Sequence, residues 1–294
     1  MVVERFGSRI GLLKVKDRVL SRRASTSLLL VLTAVVGFAF FLLPRIPQPQ
    51  AYHRFADRRS LLGIPNFGDV VSNVPFAVIG ICALLFLHAS SPDRLTGSFL
   101  DSRKRWPYAL VFLGLLLTAF GSSYYHWSPN NARLVWDRLP MTIGFMAMVA
   151  AIIAERISLR AGLWLLAILL LVGMGCVLQW YISEARGAGD LRFYAAVQTY
   201  SALVLLLALA FPKPYTHSSA LAVVVGLYAL AKTLESLDKP IFAAGHIVSG
   251  HTLKHLAAAA AGYWILRMLE RRRPALASAS NSVRLASENQ VERV

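Results

Sequence analysis

His251 and His255 stand four residues apart, and so do Ser122 and His126. Residues at that interval project from a helix about 40° apart, on one face. Two imidazoles so placed can bind a single metal ion, and His126 supplies a third. Three protein ligands with a fourth position left open are the donor set of catalytic zinc, which lowers the pKa of water to about 7 and polarises a carbonyl oxygen. Hydrolysis of an ester or amide follows from that chemistry. Asp137 is placed to accept the water proton as general base, and Ser122 to donate a hydrogen bond to a developing oxyanion. Each motif is weak by itself, because histidines in apolar helices often bond neighbouring helices and serine often bonds its own backbone. Their coincidence at one depth carries the assignment.

That depth is set by the elements around them. The 294 residues are 56% hydrophobic and 16% charged, with a mean hydropathy of +0.54, whereas soluble domains carry about a quarter charged residues. A membrane helix needs about 20 mainly apolar residues. Eight such stretches are predicted, at about 25–44, 69–89, 107–126, 134–154, 161–181, 191–211, 218–235 and 248–269. They leave no room for a separate catalytic domain of on the order of 100 residues, so any chemistry must use the helices and short loops. Ser122 and His126 close the third stretch, Asp137 opens the fourth, His251 and His255 open the eighth, and Asp69, Ser72 and Asn73 open the second. Intramembrane ionisable residues are costly and mark functional sites by default.

The net charge of +16 comes from 31 Lys and Arg against 15 Asp and Glu. These bases flank apolar spans, which points to membrane topology and away from nucleic acid. Arg5, Arg9, Lys14, Lys16, Arg18, Arg22 and Arg23 precede the first span, and the chain leaves the last one through Arg267, Arg271, Arg272 and Arg273. Retention of positive residues on the cytoplasmic side places both ends there, with the histidines near the opposite face. The loop 45–68 dissents, carrying Arg45, Arg54, Arg58 and Arg59 although it would lie outside. The span 25–44 is too long, and lacks the cleavage site, for a signal peptide; it reads as an uncleaved anchor. Cys82 and Cys176 fall in spans as small hydrophobes, and the tail 271–294 reads as disordered.

Other polar residues have ordinary roles by default. His53, His88 and His217 read as loop or interfacial residues, and His246 as a reserve ligand. Trp127, Trp136, Tyr124 and Tyr125 read as an aromatic belt. Lys254 is expected to point away from the histidine face, Lys232 to snorkel, and Glu235 to stand behind a ligand imidazole.

Ser122-x-x-x-His126, Asp137-Arg138-Leu139-Pro140-Met141 and His251-x-x-x-His255 together resemble the alkaline ceramidase family of integral-membrane hydrolases. Ile64 to Phe76 is similar to bacterial members, and the likeness covers roughly 51–270. The resemblance implies an all-α membrane protein with a seven-helix transmembrane core, here 69–270, preceded by a basic arm 1–24, one extra N-terminal transmembrane helix 25–44 and an outer loop 45–68. It implies zinc on His126, His251 and His255, assistance from Ser122 and Asp137, cleavage of the amide of a ceramide-like membrane lipid, and a bacterial inner-membrane location. Animal members bind calcium through an acidic loop; the corresponding stretch here is Arg-rich and offers only Asp57, Asn66 and Asp69, so a calcium site is not expected. The adiponectin and progestin receptor group shares the serine, aspartate and histidine pattern, which makes a metal-organised receptor or scaffold the alternative. A haem protein or transporter fits less well, since the histidines cluster near one surface and no broken pair of spans marks a pathway. Substrate identity and oligomeric state stay open.

Overall fold

A computed structural model describes residues 20–89 and 97–275. Of the predicted basic arm and tail, residues 1–19 and 276–294 lie outside the described residues. The described chain folds into helices: α1 Arg22–Leu42, α2 Phe67–Val71, α3 Val74–Ala89, α4 Arg105–Trp127, α5 Asn131–Arg156, α6 Leu159–Ala185, α7 Arg192–Ala208, α8 Ala220–Ser236, α9 Asp238–Gly245 and α10 Gly250–Arg271. Every predicted stretch therefore carries helix. Five segments are long and apolar enough to cross a membrane: α1, α2 with α3, the segment containing α4, α5 and α6. A sixth is obtained if α8 and α9 count as one span bent by 70°. α7 is apolar but has 17 residues, short of the roughly 20 a perpendicular crossing takes. α10 begins with His251, Lys254 and His255 and ends with Arg267, Glu270 and Arg271, and these polar ends keep it below the apolarity of the other spans.

Two local departures from the predicted pattern have identifiable causes. The stretch 69–89 is broken at Ser72–Asn73, where Pro75 supplies no amide proton for the Val71 carbonyl four residues earlier. The Asn73 side chain turns back onto the Asp69 carbonyl at 2.7 Å, and Ser72 Oγ does so at 3.2 Å. The predicted outer loop 236–247 contains α9, which ends at His246 in the left-handed region, φ 53°.

α5 is the central helix, with residues 146–156 all buried; it packs against α4, α6 and α7, while α10 packs against α8, α3 and α9. The extra helix α1 lies against α7, joined by Thr33 Oγ1 and Tyr200 OH at 3.0 Å. It leaves Leu30, Val31, Phe38 and Phe41 exposed, as expected of a face turned to lipid. At the end of the bundle away from the histidines, Arg272 is buried, paired with Glu155 at 2.7 Å and set against Phe99 and Tyr215. One of the cations counted as topological thus closes the core.

The crossing of α4 and α5 decides where the candidate chemistry falls. Pro140 lies inside α5 and cannot bond the carbonyl four residues earlier, that of Trp136. Gly121 of α4 sits against this carbonyl: a Cβ there would come within 2.7 Å of its carbon and collide with its oxygen. Seven residues earlier, a Cβ on Gly114 would lie 2.7 Å from the Gly144 nitrogen. Glycine at both places lets the backbones touch. Gly121→Ala should force the helices apart and lower stability by about 1–3 kcal/mol, read as a reduced unfolding midpoint in detergent.

Candidate metal centre

Because Gly121 rests on Trp136, the next residue of each helix meets its counterpart. The Ser122 hydroxyl thereby faces the Asp137 carboxyl. Ser122 is buried and Asp137 is half-buried. One turn after Ser122, His126 is carried into the interior at the end of α4.

α10 is placed independently. Ser249 caps its N-terminus, accepting from the Thr252 amide at 3.0 Å, a geometry that satisfies a backbone donor the helix cannot use. Gly250 follows, where a Cβ would lie 2.7 Å from the Asp238 Cα at the joint between α8 and α9. The Asp238 carboxyl accepts from the His251 amide at 2.8 Å and from the Ala56 amide at 2.9 Å. The first two turns of α10 are thereby pinned to both the α8–α9 joint and the 45–68 loop.

The consequence is a convergence of three rings. His126 and His251 centroids are 4.8 Å apart, His126 and His255 5.0 Å, and His251 and His255 4.9 Å. One nitrogen from each ring lies within 4.8 Å of the others, and all three residues are buried. His126 Nδ1 is enclosed without a hydrogen-bond partner. A buried polar atom left unpaired is costly, and a cation at the point the rings face would satisfy it. The donor set of three imidazoles therefore fits a metal ion. Among the described residues this is the group of histidines, cysteines and carboxylates that could hold one.

Residues behind the rings fix their orientation. Ser72 Oγ lies 2.8 Å from His255 Nδ1, so the break that frees Ser72 from regular helix serves the centre. Asp69, fully buried, accepts from Thr252 Oγ1 at 2.7 Å and from Ser249 at 3.3 Å, tying α2 to α10. Asn66, in the left-handed region at φ 45°, donates to the His126 carbonyl at 2.7 Å, meeting an acceptor that the end of α4 leaves open. Such supporting bonds tune metal affinity by about 10- to 100-fold. Ser72→Ala should weaken metal retention within that range, measured by competition with a chelator.

Several sequence-based expectations are corrected. Lys254 does not point away: its ammonium reaches His251 Nε2 at 2.9 Å and Glu235 at 3.1 Å. Three residues on a helix are about 60° apart, so the histidine face includes it. Glu235 serves Lys254 and Lys232 and does not bond an imidazole. Tyr125 is buried and leaves the aromatic belt, whereas Tyr124, Trp127 and Trp136 are exposed. Its hydroxyl meets His53 Nδ1 at 2.9 Å, and His53 Nε2 meets Asn131 at 2.9 Å. His53 is thus engaged, and burial holds its pKa below the usual value. His246 is exposed and not among the converging rings.

Two contributors escaped the sequence reading. Phe55 lies 4.6 Å from the His126 ring and 4.7 Å from the His251 ring; only an apolar residue amid arginines hinted at it. Arg138, next to Asp137, is buried against the faces of Trp180 and Tyr194 at 4.2 and 4.6 Å, and donates to Gln48 at 2.7 Å. A cation directly after the candidate base was the available signal. Asp57, the acidic residue of the 45–68 loop, gives one oxygen to Arg59 at 2.8 Å and the other at 2.7 Å, which holds its pKa low. The chain matches no protein-family model, and no curated protein matches its sequence.

Proposed function

We propose that this chain is an integral-membrane, zinc-dependent hydrolase that cleaves the amide bond of a ceramide-like N-acyl lipid. The observation that carries the reading is the buried convergence of His126, His251 and His255, with Ser122 and Asp137 facing each other where α4 crosses α5. Imidazole donors suit zinc, and zinc when bound supplies Lewis-acid polarisation and acidifies water. The protein's own groups carry the rest. The Asp137 carboxylate accepts a proton as the water oxygen bonds to the carbonyl carbon. It returns that proton to the amide nitrogen as the C–N bond breaks, releasing a fatty acid and an amine. Once Asp137 has taken up the water proton and its carboxyl needs no donor, the Ser122 hydroxyl turns its one proton to the oxygen on which charge develops. The site's place at one end of a bundle of apolar helices suits a lipid, whose acyl chain can lie along the helices while its linkage reaches the histidines.

Helices at all eight predicted positions support a core of seven transmembrane helices with α1 added. The basic flanks at both ends support cytoplasmic termini, with the centre toward the opposite face, and the likeness of Ile64 to Phe76 to bacterial members supports a bacterial inner membrane. The reading is tested by incubating purified protein with N-acyl lipids, with and without a strong zinc chelator, and measuring released fatty acid. Release that the chelator abolishes and added zinc restores is expected. Zinc bound at about one ion per chain with no release from any lipid would favour the metal-organised receptor instead.

A further inference from the structure

Beside the histidines, on the 45–68 side, lies an open cavity of about 530 Å³ lined by His53, Arg54, Arg58, Asn66 and Pro129. Its walls belong to the same construction as the metal centre. Asn66 donates to the His126 carbonyl, and His53 bonds the hydroxyl of Tyr125, whose ring is 4.9 Å from that of His126. The chain from Arg54 to Arg58 runs across the centre, with Phe55 inward against two of the rings and Arg54 and Arg58 exposed at the cavity. No carboxylate lines it. The acids nearest in sequence or packing are committed elsewhere: Asp57 to Arg59, and Asp238 to the Ala56 and His251 amides. Two guanidinium groups thus face an open space with no acid on its walls to neutralise them.

These are also cations of the one loop that disobeys the charge distribution of the other connectors. Arg59 in that loop has an internal task, bonding Asp57 and the carbonyls of His246 and Ile247 at 2.7 Å each. Arg54 and Arg58 line the cavity, Arg58 with its Nε on the Phe55 carbonyl at 3.3 Å and neither paired with a carboxylate among the described residues. Guanidinium groups match the paired oxygens of phosphate, sulfonate and carboxylate. Resting on the hydrolase reading above, we propose that the cavity receives the anionic headgroup of the lipid whose amide reaches the histidines, so that the substrate class is an N-acyl lipid carrying a phosphate or similar anion and not a neutral one.

Binding and turnover test this separately, with the full chain in detergent. In the first arm, metal-free protein is titrated with a short-chain alkyl phosphate, the alcohol of equal chain length, and inorganic phosphate. The alkyl phosphate should bind at least about tenfold more tightly than either of the others. Arg54→Gln with Arg58→Gln should erase the difference, and Arg54→Lys with Arg58→Lys should keep part of it. Equal affinity for alcohol and alkyl phosphate would overturn the proposal, and inorganic phosphate binding as tightly as the alkyl phosphate would overturn the lipid source. In the second arm, kcat/KM is compared for an N-acyl sphingoid lipid and its 1-phosphate. A preference of at least about tenfold for the phosphate that collapses in the double Gln variant is expected. Equal hydrolysis of both lipids, unchanged in the variant, would defeat this inference and leave the hydrolase reading standing. Alkyl phosphate binding that depends on the two arginines, without hydrolysis of either lipid, would support the pocket and remove the hydrolase reading.

Discussion

Purified protein carrying His255→Ala is expected, on the zinc-hydrolase reading proposed above, to lose both metal and turnover, with released fatty acid falling on the order of 1000-fold, about 4 kcal/mol in the barrier. The ring of His255 is one of three that meet at centroid distances of 4.8–5.0 Å. Its removal leaves two imidazoles, each from a different helix, and a site short of the three protein ligands that catalytic zinc commonly has. Because His255 is also held by Ser72, a neighbouring side chain cannot easily take its place. His251→Ala should behave alike. His246→Ala is the control: that residue is exposed and outside the converging group, so its variant should keep zinc and rate. Metal content by elemental analysis, measured beside lipid hydrolysis, checks the set. A His255→Ala protein with one zinc per chain and full rate would show that the three rings are not the ligand set.

The second large effect separates proton transfer from metal binding. Asp137→Asn preserves shape and can still bond Ser122, but the amide cannot take up a proton. kcat should drop by about 100- to 10,000-fold, the usual worth of a positioned general base, while zinc content stays at the wild-type level. The contrast arises because Asp137 belongs to α5 and faces Ser122, whereas the three converging imidazoles come from α4 and α10. Loss of metal in the Asn variant would mean that Asp137 helps to build the centre and is not confined to chemistry.

Much of the architecture was legible because membrane helices announce themselves. With no water to satisfy the backbone, an apolar run of about 20 residues has helix as its available structure; all eight predicted runs carry helix, and five or six of them are long and apolar enough to cross a membrane. The pairs at i and i+4 were equally legible, since helical geometry puts them on one face whatever the fold. Hydropathy is a weaker guide where a helix carries the site. α10 owes its polar character to the same histidines that made it interesting, and α9 was hidden in what reads as a loop.

Interhelical choices lay beyond local pattern. That His126 and His255 meet depends on two contacts. Gly121 rests on the carbonyl that Pro140 frees, and Gly250 is seated at the joint of α8 and α9. Each is a backbone-to-backbone approach between segments far apart in the chain. Lys254 shows the same division: its angle to His251 followed from helical spacing, but its pairing with Glu235 depended on how α8 and α10 pack. Phe55, Arg54 and Arg58 acquired meaning only once the 45–68 segment was seen to cross the histidines. The order of helices and the residue types capable of chemistry were therefore contained in the sequence by itself. Their meeting at one buried point was decided by tertiary packing, because it depends on steric fit between surfaces that no single segment contains.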